Sequence, residues 1–363
     1  MSLHLVKYVS LITFFSFSLN AKADTIPGKR GVLHNIISFA GKTLKKFSEV
    51  DTNYVEPQHY DFTFMLQNTN TYESYKLNNE KGQTIVLAPK PSIKVGPYFG
   101  WKGIFLGYTF DLKTLAADNL KNEFDLSIYS SKIGLDLFYR KTGNNYEIRS
   151  LFLGNGINTS SISGSKFDGF NSDIKGFNLY YIFNNKKFSY PAAFSQSTVQ
   201  RRSAGSPLIG FGYTKHSLDI DLLSLNQLVN NKLEPRATDE PQSDSSLVFG
   251  NFQYSDYFIS GGYAYNWVFA HNWIFASSLS VGFGYKNTIG NFFNKDEKVN
   301  GFNLKNFDID AIGRFGIVWN NTKWYAGASA IFHSYKYNKN QFSTNTLFGN
   351  LNIYVGVNFG RKK

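Results

Sequence analysis

From Asp256 to Lys286 the sequence alternates with a period of two almost without interruption. Tyr257, Ile259, Gly261, Tyr263, Tyr265 and Trp267 share one parity, while Asp256, Phe258, Ser260, Gly262, Ala264 and Asn266 share the other. After a short Phe269–Asn272 turn, Trp273, Phe275, Ser277, Leu279, Val281, Phe283 and Tyr285 alternate with Ile274, Ala276, Ser278, Ser280, Gly282, Gly284 and Lys286. Successive strand side chains point to opposite faces, so the pattern predicts a hairpin with one apolar face and one small or polar face. Each arm exceeds an ordinary strand and is long enough to cross a bilayer when tilted. Aromatic residues crowd the ends of the apolar face, where an interfacial girdle would sit.

The rest of the composition fits that reading. Lys7, the apolar run Val9–Leu19 and Ala21-Lys22-Ala23 form a secretory signal, so cleavage before Asp24 is expected. No later run is apolar enough for a membrane-crossing helix. Aromatics make up 17% of the chain, which a barrel accommodates because only alternate residues face lipid. The absence of cysteine excludes disulfides, a lipid-modified N-terminal cysteine and thiolate metal sites. The formal charge of +12 falls to +10 without Lys7 and Lys22. Its Lys and Arg are scattered through turns and form no aromatic-interleaved stripe, which fits outer-membrane lipid headgroups or solvation and argues against nucleic acid.

Leu33, Ile36, Ile37, Ala40, Leu44 and Phe47 recur at helical spacing opposite Lys42, Lys45 and Lys46, predicting a short amphipathic helix before the barrel. The expected division is signal peptide 1–23, an N-terminal periplasmic segment 24–58, and a barrel over 59–363. Strand periodicity begins at Tyr60, turns at Asn78–Gly82, and returns through Thr84–Phe99, where Pro89, Pro91 and Pro97 impose irregular pairing. Phe124, Leu126 and Ile128 have even parity, whereas Ile133, Leu135, Leu137 and Tyr139 have odd parity. A turn at Ser130-Ser131 explains the change of face; a bulge is the alternative. With the turn, the expected fold is an all-β transmembrane antiparallel up-and-down β-barrel of about twelve strands. Short turns then fall at one end, and long loops at 141–175 (with an extended piece at Tyr146–Leu153), 216–246, 287–306 and 338–345 fall at the other. The alternating C-terminal stretch to Phe359 resembles the last strand read by barrel assembly machinery, although Phe359 is not terminal.

No sequence motif supplies chemistry. His216-Ser217 and His333-Ser334 are adjacent pairs that point to opposite faces, and both histidines are read as loop or interface polar residues. No H-x-S, GxSxG, P-loop or HExxH pattern occurs, so neither catalytic residues nor a cofactor or metal site is expected. The inward parity carries Asp61, Asp111, Asp125, Asp136, Asp308 and Asp310 against Lys94, Arg140, Lys286 and Arg314. These residues either line a narrow pore for small polar solutes or pair and lock the interior, since buried charges need partners.

The link Asn184–Ser206 is longer than the other turns at its end. It carries Phe188, Tyr190, Pro191, Gln196, Gln200, Arg201 and Arg202, and reads as a periplasmic plug, a partner contact or a surface loop. Its Phe188–Gln196 and Arg202–Ser206 stretches, with Asp51-Thr52-x-Tyr54, Phe64–Asn70, Tyr98–Trp101 and Asp136-x-Phe138-Tyr139-Arg140, resemble the family called domain of unknown function 4421. That resemblance covers most of the chain after Asp51. It implies a Bacteroidota outer-membrane protein and brings no activity or catalytic residue. Two functions remain from the sequence: a passive channel, or a structural or surface-interaction barrel with a closed lumen. A lipid-modifying enzyme is a third, with no motif behind it.

Overall fold

The computed structural model describes residues 50–101, 104–107, 110–111, 122–143, 145–155, 157–233, 252–289, 306–339 and 342–362. The signal segment and the Leu33–Phe47 helix expected from the sequence lie outside them. Ser48–Lys363 form one compact unit. Its strands run β1 (Val55–Pro57), β2 (Tyr60–Asn79), β3 (Thr84–Pro89), β4 (Ser92–Trp101), β5 (Ile104–Gly107), β6 (Phe110–Asp111), β7 (Asn122–Tyr129), β8 (Ile133–Gly143), β9 (Tyr146–Phe152), β10 (Ser165–Phe167) and β11 (Phe170–Ile182). A short helix α1 (Pro191–Phe194) and β12 (Thr198–Gln200) precede β13 (Ala204–Ile220) and α2 (Leu222–Lys232). The chain ends with β14 (Phe252–Ala270), β15 (Trp273–Ile289), β16 (Phe307–Asn320), β17 (Trp324–Lys339) and β18 (Phe342–Arg361).

These strands form a sixteen-stranded sheet and a separate β1–β12 pair, and every ladder is antiparallel. Against the expected count of about twelve, the described residues hold sixteen strands in this sheet. Pro89 and Pro91 flank the break that divides the return strand into β3 and β4. The described parts of the following strand, β5 and β6, pair with β4 in one register, and the long loop after β8 itself contains β9 and β10. First and last long strands pair along their whole length, from Phe342 opposite Asn79 to Arg361 opposite Tyr60. The sheet is not closed: among the described residues no ladder joins β7 to β5 or β6.

The turn at Ser130-Ser131 is present. Tyr129 pairs with Gly134, and the Ser130 N–H donates to the Ile133 carbonyl at 2.8 Å. Two other loops are more structured than their polarity suggests. The 217–246 stretch holds the end of β13 and then α2, which starts where the Asp221 carboxylate accepts the Leu223 and Ser224 N–H groups, each at 3.1 Å. The 338–345 stretch is mostly paired strand, with Lys339 opposite Phe342.

Alternation sorts the faces as expected in the hairpin. Tyr257, Ile259, Tyr263, Trp267, Leu279 and Phe283 are exposed, while Asp256, Phe258, Ala264, Asn266, Ser278 and Ser280 are buried. Exposed apolar residues continue on β2 (Phe64, Leu66), β13 (Ile209, Phe211), β16 (Ile309, Phe315) and β18 (Ile353, Val355). So large a contiguous apolar surface requires an apolar surrounding. No described helix is long and apolar enough to cross a membrane; here the strands carry the apolar belt.

The buried face curls around an interior. Arg314 on β16 pairs with Asp136 on β8, and Tyr75 on β2 meets Ser172 on β11. The Phe138 ring on β8 lies 5.5 Å from Phe348 on β18. Strands that are far apart in the ladder order touch only if the sheet wraps round. At the loop end, Tyr75, Leu77, Tyr146, Ile148 and Phe170 form an apolar core with Leu225 and Val229 of α2. β2 and β18 have 20 residues each, about twice what a tilted crossing needs, which places this core beyond the stretch that a membrane would cover.

Candidate functional site

The link between β11 and β13 folds back into the sheet's interior. Its ends meet: the Asn184 N–H donates to Ser206 Oγ at 2.9 Å, and Asn184 Nδ2 donates to the Gly205 carbonyl at 2.8 Å. Pro191 starts α1, where its fixed φ suits a first helical turn and its missing N–H costs nothing. Ser189 Oγ accepts the Ala192 N–H at 3.3 Å. The helix stops after one turn, and Gln196 follows with φ +56°, a left-handed conformation that non-glycine residues hold only when their surroundings impose it.

Those surroundings are the barrel wall. Gln196 Nε2 donates to Tyr354 Oη on β18 at 2.8 Å and to the Ala193 carbonyl at 3.0 Å. Asn320 on β16 donates to Gln196 Oε1 at 3.4 Å. Tyr190 shares a hydrogen bond with Ser278 on β15, and its ring stacks on Tyr129 at 6.0 Å and meets Tyr180 at 5.3 Å. Asn266 on β14 donates to the Ser189 carbonyl at 2.8 Å. Phe188, Tyr190, Ala192 and Ala193 are buried. The small inward residues Ala264 and Ser278 leave room for these rings, and on the same face Phe258 fills the space over Gly282.

Gln200 ties the link to the start of the chain. Its amide nitrogen donates to the carbonyls of Lys187, Arg202 and Tyr54, and its oxygen accepts the Ser189 N–H at 3.0 Å. β12 pairs with β1, placing Gln200 opposite Val55. Arg201 pairs with Glu56 and donates to Asn272 in the β14–β15 turn. Arg202 and Lys187 lie over the Tyr54 ring at 5.8 and 5.0 Å. Sequence reading missed β1 and β12: three-residue strands have no detectable period.

Partial burial tends to raise the Glu56 carboxyl, but the hydrogen bonds and charges of His59 and Arg201 outweigh it and hold the group below its ordinary range. A lowered carboxyl stabilises the fold above its unfolded value, and that contribution disappears as pH falls through the folded value. Protease cleavage within residues 51–59 is therefore expected to rise only below about pH 4. Glu56→Gln should show raised cleavage at neutral pH with no further acid step; a variant that keeps the acid step would overturn this assignment.

The inward charges separate into groups. Asp136 accepts from Arg314, from Ser127 Oγ at 2.8 Å and from Tyr129 Oη at 3.2 Å. Arg314 is 1% exposed and lies over the Tyr180 ring at 4.8 Å. Lys286 contacts Asp256 at 3.0 Å and Asp310 at 2.8 Å. Arg140 is buried over Phe348 at 5.0 Å. Asp308 is half-buried near the rim, accepting the Asn338 N–H at 3.0 Å. Asp61 and Lys94 are half-buried on the inward parity. In the backbone register Asp111 lies opposite Lys94 and Asp125 opposite Phe138; the side chains of Asp111 and Asp125 are outside the described set. Asp256 was not singled out from the sequence: the His271-Asn272 turn alone would put Tyr257 opposite Lys286, and the register shift between Val268 and Ala270 puts Asp256 there instead.

His216 and His333 correct the sequence reading: neither is a loop or interface residue. His216 stacks on Tyr254 at 4.6 Å, and His333 stacks on Phe348 at 4.9 Å, both inside the barrel. A cavity of about 30 Å³ lies beside Asp136, Arg140, His333 and Asn350, room for one or two waters.

Comparison with known proteins adds a family. The profile described as Domain of unknown function (DUF4421) matches residues 49–359, from the segment before β1 to the end of β18. The chain belongs to that family. The match therefore includes the link and its partners on β14, β15, β16 and β18. No curated protein matches the chain. Among solved structures, the outer membrane protease OmpT from Escherichia coli is similar with 7% identity and a TM-score of 0.33, over 82% of this chain and 97% of that one. The translocator domain of the autotransporter NalP from Neisseria meningitidis gives 10% identity and 0.29, over 90% and 97%. The Pseudomonas (P. putida) toluene transporter TodX gives 7% and 0.21, over 83% and 91%. Scores this low leave the barrel resting on the chain's own ladders and cross-interior contacts.

Proposed function

We propose that this protein is an outer-membrane barrel with a closed lumen, serving a structural or surface-interaction role in preference to a passive channel. The exposed apolar belt supports the membrane setting, and the sequence's secretory signal supports export. The carrying observation is how the interior is filled. The link occupies one end and the Tyr75–Phe170 core occupies the other; between them Arg314–Asp136 pairs across the space, and Asp256–Lys286–Asp310 pair along neighbouring strands of the wall. Charges that line a conducting path need water; these are buried against aromatic rings. On this reading the link is a periplasmic plug and the loops at the opposite end are the working surface.

The lipid-modifying reading has less support, because a lipid substrate needs a base it can reach and His216 and His333 are buried. Single-channel recording on the purified full chain in a planar bilayer tests the proposal. No conductance steps are expected at any holding voltage. Steady conductance from the unmodified protein would overturn the closed lumen and restore the channel.

A further inference from the structure

The Asp256–Lys286–Asp310 group has two carboxylates and one ammonium, all 0–2% exposed. Neither aspartate has a second cation within ion-pair distance among the described residues. Asp310 Oδ1 also accepts the Lys336 backbone N–H at 3.2 Å, whereas Asp310 Oδ2 and both Asp256 oxygens have no hydrogen-bond donor, Asp256 Oδ2 being held only by its ion-pair contact with Lys286. Asp256 Oδ1 and Asp310 Oδ2 converge over Gly284. A Cβ on Gly284 would lie 2.3 Å from Asp256 Oδ1 and 2.8 Å from Asp310 Oδ2, so glycine is what leaves the space between them open.

The groups facing this space do not supply the missing charge. On β14 it is Tyr254, whose hydroxyl has no partner. On β13 it is His216, already beside the positive Lys286 and buried against the Tyr254 ring. On β16 Asp308 adds negative charge at the rim, and Arg314 is committed to Asp136. β17 contributes the Tyr335 ring, 5.8 Å from Lys286 Nζ, with His333 stacked behind it. β18 contributes the hydroxyls of Thr344 and Thr346, which carry no charge.

We infer that Asp256 and Asp310 form a proton-binding site, sharing one proton between Asp256 Oδ1 and Asp310 Oδ2 at neutral pH. Two like charges in one buried site cannot both ionise at low cost, and one proton makes the group neutral with Lys286. The same proton gives Asp256 Oδ1 and Asp310 Oδ2 a partner in each other, one as donor and one as acceptor. A small metal cation would satisfy the same charge, so the experiment separates the two.

Infrared difference spectra of the purified full chain at pH 7 test the site. The unmodified protein should show the carbonyl stretch of a protonated carboxylic acid, and both Asp256→Asn and Asp310→Asn should lose it. The band should be indifferent to replacing sodium chloride by choline chloride. Absence of the band at pH 7, its retention in either variant, or its growth when sodium is removed would overturn the inference. If a variant does not fold, the unmodified protein alone suffices: the band must vanish at alkaline pH while the chain stays folded. A native state holding one more proton than the unfolded chain loses stability as pH rises. The unfolding midpoint should accordingly fall by about 3 °C per pH unit from about pH 4, where an unfolded carboxyl ionises, up to the pH at which the band vanishes, and level off above it. Asp256→Asn should flatten that slope, and an unchanged slope would also overturn the assignment.

Discussion

Arg314→Leu is expected to lower the stability of the barrel by about 3–5 kcal/mol, a drop of about 10 °C in the temperature at which the folded band disappears on a gel. Arg314 is buried, and removing it strips Asp136 of its only charged partner among the described residues. Ser127 and Tyr129 would still donate to that carboxylate, so the loss should fall toward the lower end of the range. The guanidinium also covers the Tyr180 ring, and leucine restores part of that contact. Adding Asp136→Asn to Arg314→Leu should recover much of the loss, because the buried charge is then gone. An unchanged midpoint in Arg314→Leu would mean that water screens the pair. The interior would then be wet, and the closed lumen would fail with it.

Tyr190→Ala is expected to cost about 3–5 kcal/mol by emptying the centre of the plug, whereas Tyr190→Phe should cost only about 1 kcal/mol. The ring contacts Tyr129, Tyr180, Phe188 and Phe194, and phenylalanine keeps all four while losing only the hydroxyl contact to Ser278. The measurement is again the gel unfolding midpoint for each variant. Equal effects from the two substitutions would show that the Ser278 hydrogen bond, and not ring packing, anchors the link. Neither substitution leading to a loss would show that the link contributes nothing to the barrel's interior.

Period-two alternation made the long strands legible, because a one-residue slip would turn an entire face from lipid to interior. Phe124 to Tyr139 show how far that reaches. A change of parity there allowed a turn or a bulge, and the order of short turns and long loops selected the Ser130-Ser131 turn that the ladder shows. Strand fragments were less legible. The extended piece at Tyr146–Leu153 was readable and is β9, which pairs with β3, whereas the three-residue β10 has no period of its own and is buried through the core it shares with α2. The inward charges were recognisable by parity, but parity says only that Asp136 and Arg314 face inward. Their meeting depends on how far the sheet curls.

The hairpin Asp256–Lys286 holds both halves of that lesson. Its sequence by itself determined two long strands, an apolar outer face, a small inner face and a turn within Phe269–Asn272, since each follows from local periodicity. What fills the inner face was decided only by tertiary structure. Ser278 receives Tyr190 from a link far away in the sequence, and Lys286 receives Asp310 from the neighbouring strand β16 as well as Asp256 across the hairpin. Sheet curvature and the fold of the link bring those partners in, and neither is written in the spacing of any one strand.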